Sequence, residues 1–151
     1  MTTRVLQSLA VFAAMMGTSL AADINSIVDH AKNVQMDAQH IRTSLKSKNF
    51  DTNEVKNRIE GTQARINSLK EAVAAYEAAN PGAVNSENWK AVKDRVTLLD
   101  IFTSRKAELL TDAQRNRSML RAHADGIAKR AASLQETAAR LQQASTSSSG
   151  S

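Results

Sequence analysis

Residues 89–141 read WKAVKDRVTLLDIFTSRKAELLTDAQRNRSMLRAHADGIAKRAASLQETAARL. Within them Trp89, Val92, Val96, Leu99, Thr103, Lys106, Leu110, Ala113, Arg117, Leu120, Ala124, Ile127, Ala131, Leu134, Ala138 and Leu141 follow one another in alternating steps of three and four. That is the period of a helix seam built to pack against other helices. In the middle of the stretch the seam turns polar, and of Thr103, Lys106, Leu110, Ala113 and Arg117 only two are apolar. The fold depends on what happens there. One unbroken helix would run about 55 residues and span roughly 80 Å, leaving its far half without an intramolecular partner. Two helices folded back on each other would complete an up-and-down bundle.

Signals within the stretch point both ways. Thr111 and Gln114 match a capping box that would start a fourth helix at Asp112, leaving helices of about 24 and about 30 residues. Against a break, no Gly, Pro or Asn lies between Phe102 and Arg115, and the heptad phase is kept throughout. Seam composition favours the bundle. Ala31 and Ala38 in the first helix, and Ala124, Ala131 and Ala138 in the last, are small where the seams between are bulky, and small seams facing large ones fill a core without voids.

Upstream, Ile24, Ile27, Ala31, Val34, Ala38, Ile41 and Leu45 define a first amphipathic helix over 23–48, with Asp23 as its N-cap and Lys46 and Lys48 in its last turn. Asp51-x-x-Glu54 is a capping pattern flanked by a Phe50–Val55 hydrophobic staple, so a second helix starts there. Its seam runs Val55, Ile59, Thr62, Ile66, Leu69, Val73 and Tyr76, and Asn80-Pro81-Gly82 ends it. Ser86 or Asn85 caps a third helix, with Glu87 in its first turn. Val96, Leu98, Leu99, Ile101 and Phe102 make that helix apolar on more than one face, which predicts its deepest burial there. The fold class is all-α, an antiparallel bundle of four helices, with three helices and a very long last one as the alternative.

Composition agrees. With 42% hydrophobic residues but only 3% aromatic, one Pro and five Gly, the core is built from Ala, Leu, Ile and Val, as helices allow and sheets seldom do. Arg4, the apolar run Val5 to Met16 and Ser19-Leu20-Ala21 have the form of a cleaved export signal, residues 1–21. Residues 22–143 are then the bundle, and 144–151, Ala-Ser-Thr-Ser-Ser-Ser-Gly-Ser, a flexible tail. The chain has no Cys, so neither disulfides nor lipid attachment hold it. Export without disulfides fits a bacterial periplasm.

Charge is uneven. Residues 23–103 balance 11 basic against 11 acidic side chains, whereas residues 104–144 carry eight basic and four acidic. Arg105, Lys106, Arg115, Arg117, Arg121, Lys129 and Arg130 form a candidate partner-binding basic surface, for a protein or an anionic envelope surface. The plainer reading is a solvated face laced by pairs such as Asp125 with Lys129 and Glu136 with Arg140. Arg117, on the seam itself, either marks a partner site or lays its stem along the core. Nucleic acid is excluded as a partner by export and by the scarcity of stacking aromatics.

Met36 with His40 and Met119 with His123 are each four apart on one helical face, a spacing that could offer soft ligands to Cu(I). Neither pair has a third ligand, and all four fall off the seams, so surface positions are expected. No catalytic motif is present, which predicts a non-enzyme without cofactor or metal. Leu110-Thr111-Asp112-Ala113-Gln114 resembles the L-T-x-x-Q motif of the Spy and CpxP family of small periplasmic helical proteins. That resemblance implies an ATP-independent chaperone or envelope-stress sensor working as a dimer. The residues themselves predict a helical bundle acting by protein binding or scaffolding, with another protein or a second copy as partner.

Overall fold

The strongest local signal in the chain starts a helix where the sequence puts it. Asp51 accepts hydrogen bonds from the amides of Asn53 (2.9 Å) and Glu54 (3.2 Å), two of the donors a helix start leaves without partners. Phe50 and Val55 are buried in one cluster, as a staple requires. Glu54 does not reach back to complete the box but accepts from Arg58, one turn on (2.9 Å).

The computed structural model describes residues 20–104 and 107–148. Its helices are α1 (Leu20–Ser44), α2 (Thr52–Ala79), α3 (Glu87–Ser104) and α4 (Arg117–Ser148), with 3-10 turns at Pro81–Asn85 and Ala107–Leu110. No strand occurs among the described residues. The protein is an all-α bundle of four helices. The export-signal reading, apart from its last two residues, lies outside the described residues, as do Arg105 and Lys106.

Each helix packs against its neighbour in sequence, and α4 closes the ring against α1 in the most extensive pairing. Polar rungs show the antiparallel directions. Between α1 and α4, Asn25 meets Gln142 (2.6 Å), Gln35 meets Gln135 (2.6 Å) and Arg42 meets Asp125 (2.8 Å). Between α2 and α3, Lys70 bonds Asp100 (3.0 Å) and Glu77 bonds Lys93 (2.9 Å). Arg95 donates to Ser133 between α3 and α4 (3.1 Å).

The seams form the core in two clusters. The larger runs from Ile24 and Leu141 through Trp89, Leu99 and Ile127. The smaller, with Ile41, Leu45, Phe50, Val55, Leu109, Ala113 and Leu120, closes the end where α1 turns into α2. Ala seams do not simply face bulky ones. The two Ala-bearing helices lie side by side, with Ala31, Ala38, Ala131 and Ala138 buried; small side chains let these backbones approach while amide rungs bridge the flanks.

The polar middle of the seam is a break. Thr103 and Ser104 donate their hydroxyls to the carbonyls of Leu99 (2.8 Å) and Asp100 (2.6 Å), as Thr62 and Thr97 do inside continuous helices, and α3 ends at Ser104. Asp112 does not begin a helix. Its carboxylate accepts from the Arg115 amide (3.3 Å) and its carbonyl from the Asn116 amide (3.0 Å), closing a turn. Thr111 sends its hydroxyl to the Glu108 carbonyl instead of capping Gln114. Asn116, one residue past the window that lacks turn formers, donates its side-chain amide to the Leu109 carbonyl (3.2 Å), and α4 follows at Arg117. Within the break Ala113 keeps its seam position and is buried, but Leu109 from the 3-10 turn is buried in place of the seam residue Leu110, which is only half-buried, so the seam slips by one residue there.

Other boundaries shift for similar reasons. α1 begins at Leu20, which puts Asp23 inside the helix, and ends at Ser44, which leaves Lys46 and Lys48 in the turn beyond it. α4 runs to Ser148, past Ala144 where a tail was expected; Gln142, bonded to Asn25, anchors its last turns. Asn80-Pro81-Gly82 does end α2, and Ser86 accepts from the Trp89 amide (3.2 Å) to cap α3. The expected deep burial of the whole α3 middle fails at Leu98 and Ile101, which are 59% and 41% exposed. They fall between seam positions, and a four-helix ring covers only the seam side.

Gly61 sits exposed within α2, and a Cβ built there meets nothing within 4 Å. No neighbouring backbone needs the room. Gly61→Ala is therefore expected to stabilise the bundle by about 0.5–1 kcal/mol, read as a higher urea midpoint at unchanged slope.

Candidate functional site

Two hollows flank α4, one on each side. Toward α1, Arg42, Lys46, Ser118, Arg121, Ala122 and Asp125 line a space of about 330 Å³. Toward α3, Asp94, Arg95, Leu98, Arg130 and Ser133 line one of about 290 Å³. Of the described basic residues of the last segment, Arg121 thus lies on one side of α4 and Arg130 on the other.

Arg117 is committed to the fold. Its guanidinium donates to the carbonyls of Leu45 (2.8 Å) and Lys46 (3.3 Å), capping the end of α1, where carbonyls lack intrahelical partners and the helix dipole is negative. Its head is held by the end of α1 and is half-buried. Lys129 pairs with Asp125 (2.9 Å). Arg115 is exposed, its backbone held by Asp112. Arg121 lines the α1-side hollow and Arg130 the α3-side one. Asp125 receives Lys129 and Arg42 together, and these hydrogen bonds hold its carboxyl below the ordinary value of 3.8.

Arg130 also connects the α3-side hollow to an aromatic cluster. Its guanidinium lies 3.7 Å from the centre of the Phe102 ring, a cation–π contact, and donates to the Gly126 carbonyl (3.2 Å). A Cβ on Gly126 would come within 2.5 Å of the Phe102 ring, so the missing side chain is what admits the ring. On its other side Phe102 stacks on His123, with centroids 4.8 Å apart. His123 is therefore buried, contrary to its off-seam position, while Met119 beside it is 53% exposed. Phe102, Met119, Ala122 and His123 line a further hollow of about 220 Å³. A broken apolar strip thus runs from Leu98 past Arg130 and Phe102 to Met119.

Met36 and His40 are exposed on α1, as expected. Among the described residues no group of three or more His, Cys, Asp or Glu could hold a metal ion, and no helix is long and apolar enough to cross a membrane. Two contributors to the α1-side hollow do not stand out in the sequence as site residues. Arg42 comes from α1 and Lys46 from the turn after it, over 70 residues before Arg121, and no local pattern joins them to it. Leu98 and Ile101 were seen as apolar but assigned to the core. Comparison with protein-family models, curated proteins and solved structures gives no match.

Proposed function

We propose that this protein is an exported, non-catalytic helical bundle that acts by binding another protein along the exposed face of α3. One observation carries the reading. Leu98 and Ile101 project from a helix whose seam, from Trp89 to Thr103, is already buried, so their exposure serves no packing inside the bundle. Covering such a side chain releases about 1.5–3 kcal/mol, and Arg95, Arg130 and Asp94 around Leu98 supply the polar rim a protein interface needs. The export reading rests on residues 1–21 of the sequence.

A photoreactive residue at Leu98 or Ile101, in cells that export the protein, is expected to give one discrete adduct. The same group at the exposed Lys56 of α2 should give none. Adducts of equal strength at Lys56, or none at α3, would overturn the reading, and an adduct of two copies would make the partner a second molecule of this chain. Leu98→Glu with Ile101→Glu should abolish the adduct from a neighbouring reporter without lowering the thermal midpoint. A ladder of many adducts, with delayed aggregation of an unfolded client, would favour instead the chaperone activity that the Leu110–Gln114 resemblance implies.

A further inference from the structure

We propose that the hollow between the end of α1 and the start of α4 is a binding site for a phosphomonoester dianion. It lies on the opposite flank of α4 from the face assigned to protein binding and does not depend on that assignment.

The argument begins with charge. Arg42, Lys46 and Arg121 converge on the hollow and the one carboxylate there is Asp125, so two positive charges remain uncompensated. Asp125 is already committed on both oxygens, Oδ1 to Arg42 (2.8 Å) and Oδ2 to Lys129 (2.9 Å). Among the described residues, the Arg121 guanidinium and the Lys46 ammonium have no ion pair and donate no hydrogen bond. Bringing like charges together around one hollow is unfavourable unless an anion joins them.

The surrounding backbone favours the same charge. α4 begins at Arg117, so Ser118 brings a first-turn amide and the positive end of a helix dipole to the rim. The negative end of α1 would oppose an anion here, but Arg117 covers it through the Leu45 and Lys46 carbonyls. The cap that the fold requires therefore also removes the helix end as a source of repulsion for an anion in the hollow.

Geometry selects among anions. A carboxylate would neutralise one of the two charges, whereas a phosphomonoester carries nearly two at pH 7 and presents three acceptor oxygens. Those oxygens suit donors from two sides of the hollow: the Arg121 fork and the Ser118 hydroxyl from α4, and the Lys46 ammonium from the turn after α1. The volume of about 330 Å³ is at the lower end for ligand pockets and suits a small head group. No aromatic side chain lines the hollow, so base stacking contributes nothing and a nucleotide has no advantage over a simple ester.

Calorimetric titration of the full chain with inorganic phosphate and with glycerol 3-phosphate, at low salt, tests this. One saturable site is expected, weakened roughly tenfold or more by Arg121→Gln and by Lys46→Gln, the worth of one charge-assisted hydrogen bond. Arg140→Gln, at an exposed pair on the far half of α4, should leave it unchanged, and Arg121→Lys should retain part of it. Binding of glycerol 3-phosphate should also weaken as pH falls below about 6, where a phosphomonoester dianion protonates, whereas sulfate binding should not. Neither Arg121 nor Lys46 holds the fold through its side-chain head, and a preserved far-UV melt certifies the variants. Vesicles of phosphatidylcholine with phosphatidic acid form the second arm. Binding of the soluble ester assigns a free ligand, and retention on vesicles alone, lost in Arg121→Gln, assigns a lipid head group; either upholds the site. Absence of saturable binding in both arms overturns it, as does binding indifferent to Arg121→Gln or equally reduced by Arg140→Gln.

Discussion

Trp89→Ala is expected to lower the unfolding free energy by about 3–5 kcal/mol, a large part of the 5–15 kcal/mol typical of a small domain. Trp89 is fully buried in the larger core cluster. Its ring lies 4.4 Å from that of Tyr76, and its indole N–H donates to the Glu77 carboxylate (2.9 Å). Truncation would leave a cavity between α2 and α3, the less extensively packed pair, where little can collapse to fill it. Trp89→Phe would keep most of the packing and lose the donor, at a cost of about 1 kcal/mol. Urea denaturation followed by circular dichroism separates the two, since the only Trp of the chain is removed. Equal losses would show that the hydrogen bond, and not the ring, holds this corner.

Glu77 adds a pH signature. Hydrogen bonds from Lys93 and then from the Trp89 indole hold its carboxyl below the ordinary value of 4.5. A lowered folded-state pKa contributes stability that is present above the unfolded value and lost as pH falls through the folded one. The native protein should lose stability below pH 4.5 more steeply than Glu77→Gln does, as read from urea midpoints on either side of that pH.

The second large effect is expected from Arg117→Ala, at about 2–3 kcal/mol. Leu45 is fully buried, so losing the guanidinium strands an acceptor at the end of α1, and a buried polar group without its partner costs about 1–3 kcal/mol. The Lys46 carbonyl and the unopposed dipole end add to this. Arg117→Lys keeps the charge but not the fork that spans both carbonyls, and should fall between Ala and the native residue. Arg121→Ala, one turn along the same helix and without such bonds, should stay within about 0.5 kcal/mol. If both variants melt alike, Arg117 does not cap α1.

These contrasts show what the sequence could reveal. Asp51, Phe50 and Val55, or Asn80 and Pro81, act on residues within one turn of themselves, so their spacing is enough to place a helix end. Seam positions such as Trp89, Leu99 and Leu134 announce that they are buried because period 3.6 marks a face. Period does not name the partner across that face. It could not show that the two Ala seams lie side by side, nor that Leu98 and Ile101 stay uncovered beside a saturated seam. The break after Ser104 was obscured because the Asn that bonds back to the Leu109 carbonyl lies just past the polar stretch. The basic hollow was half visible. Arg121 stood out with the charged segment, but Arg42 and Lys46 belong to the charge-balanced stretch 23–103 and gain meaning only when α4 returns alongside it.

The pairing of the first helix with the last carries a consequence for the order of events during synthesis. Helices α1 and α2 can meet early as a hairpin, yet the most extensive surface of α1 waits for residues near the other end of the chain. Ala31, Ala38 and the amides of Asn25 and Gln35 find their counterparts only when residues 131–142 have emerged. Closing so long a loop is entropically costly and therefore late. Until then the nascent chain holds a hairpin of α1 and α2 instead of a closed core.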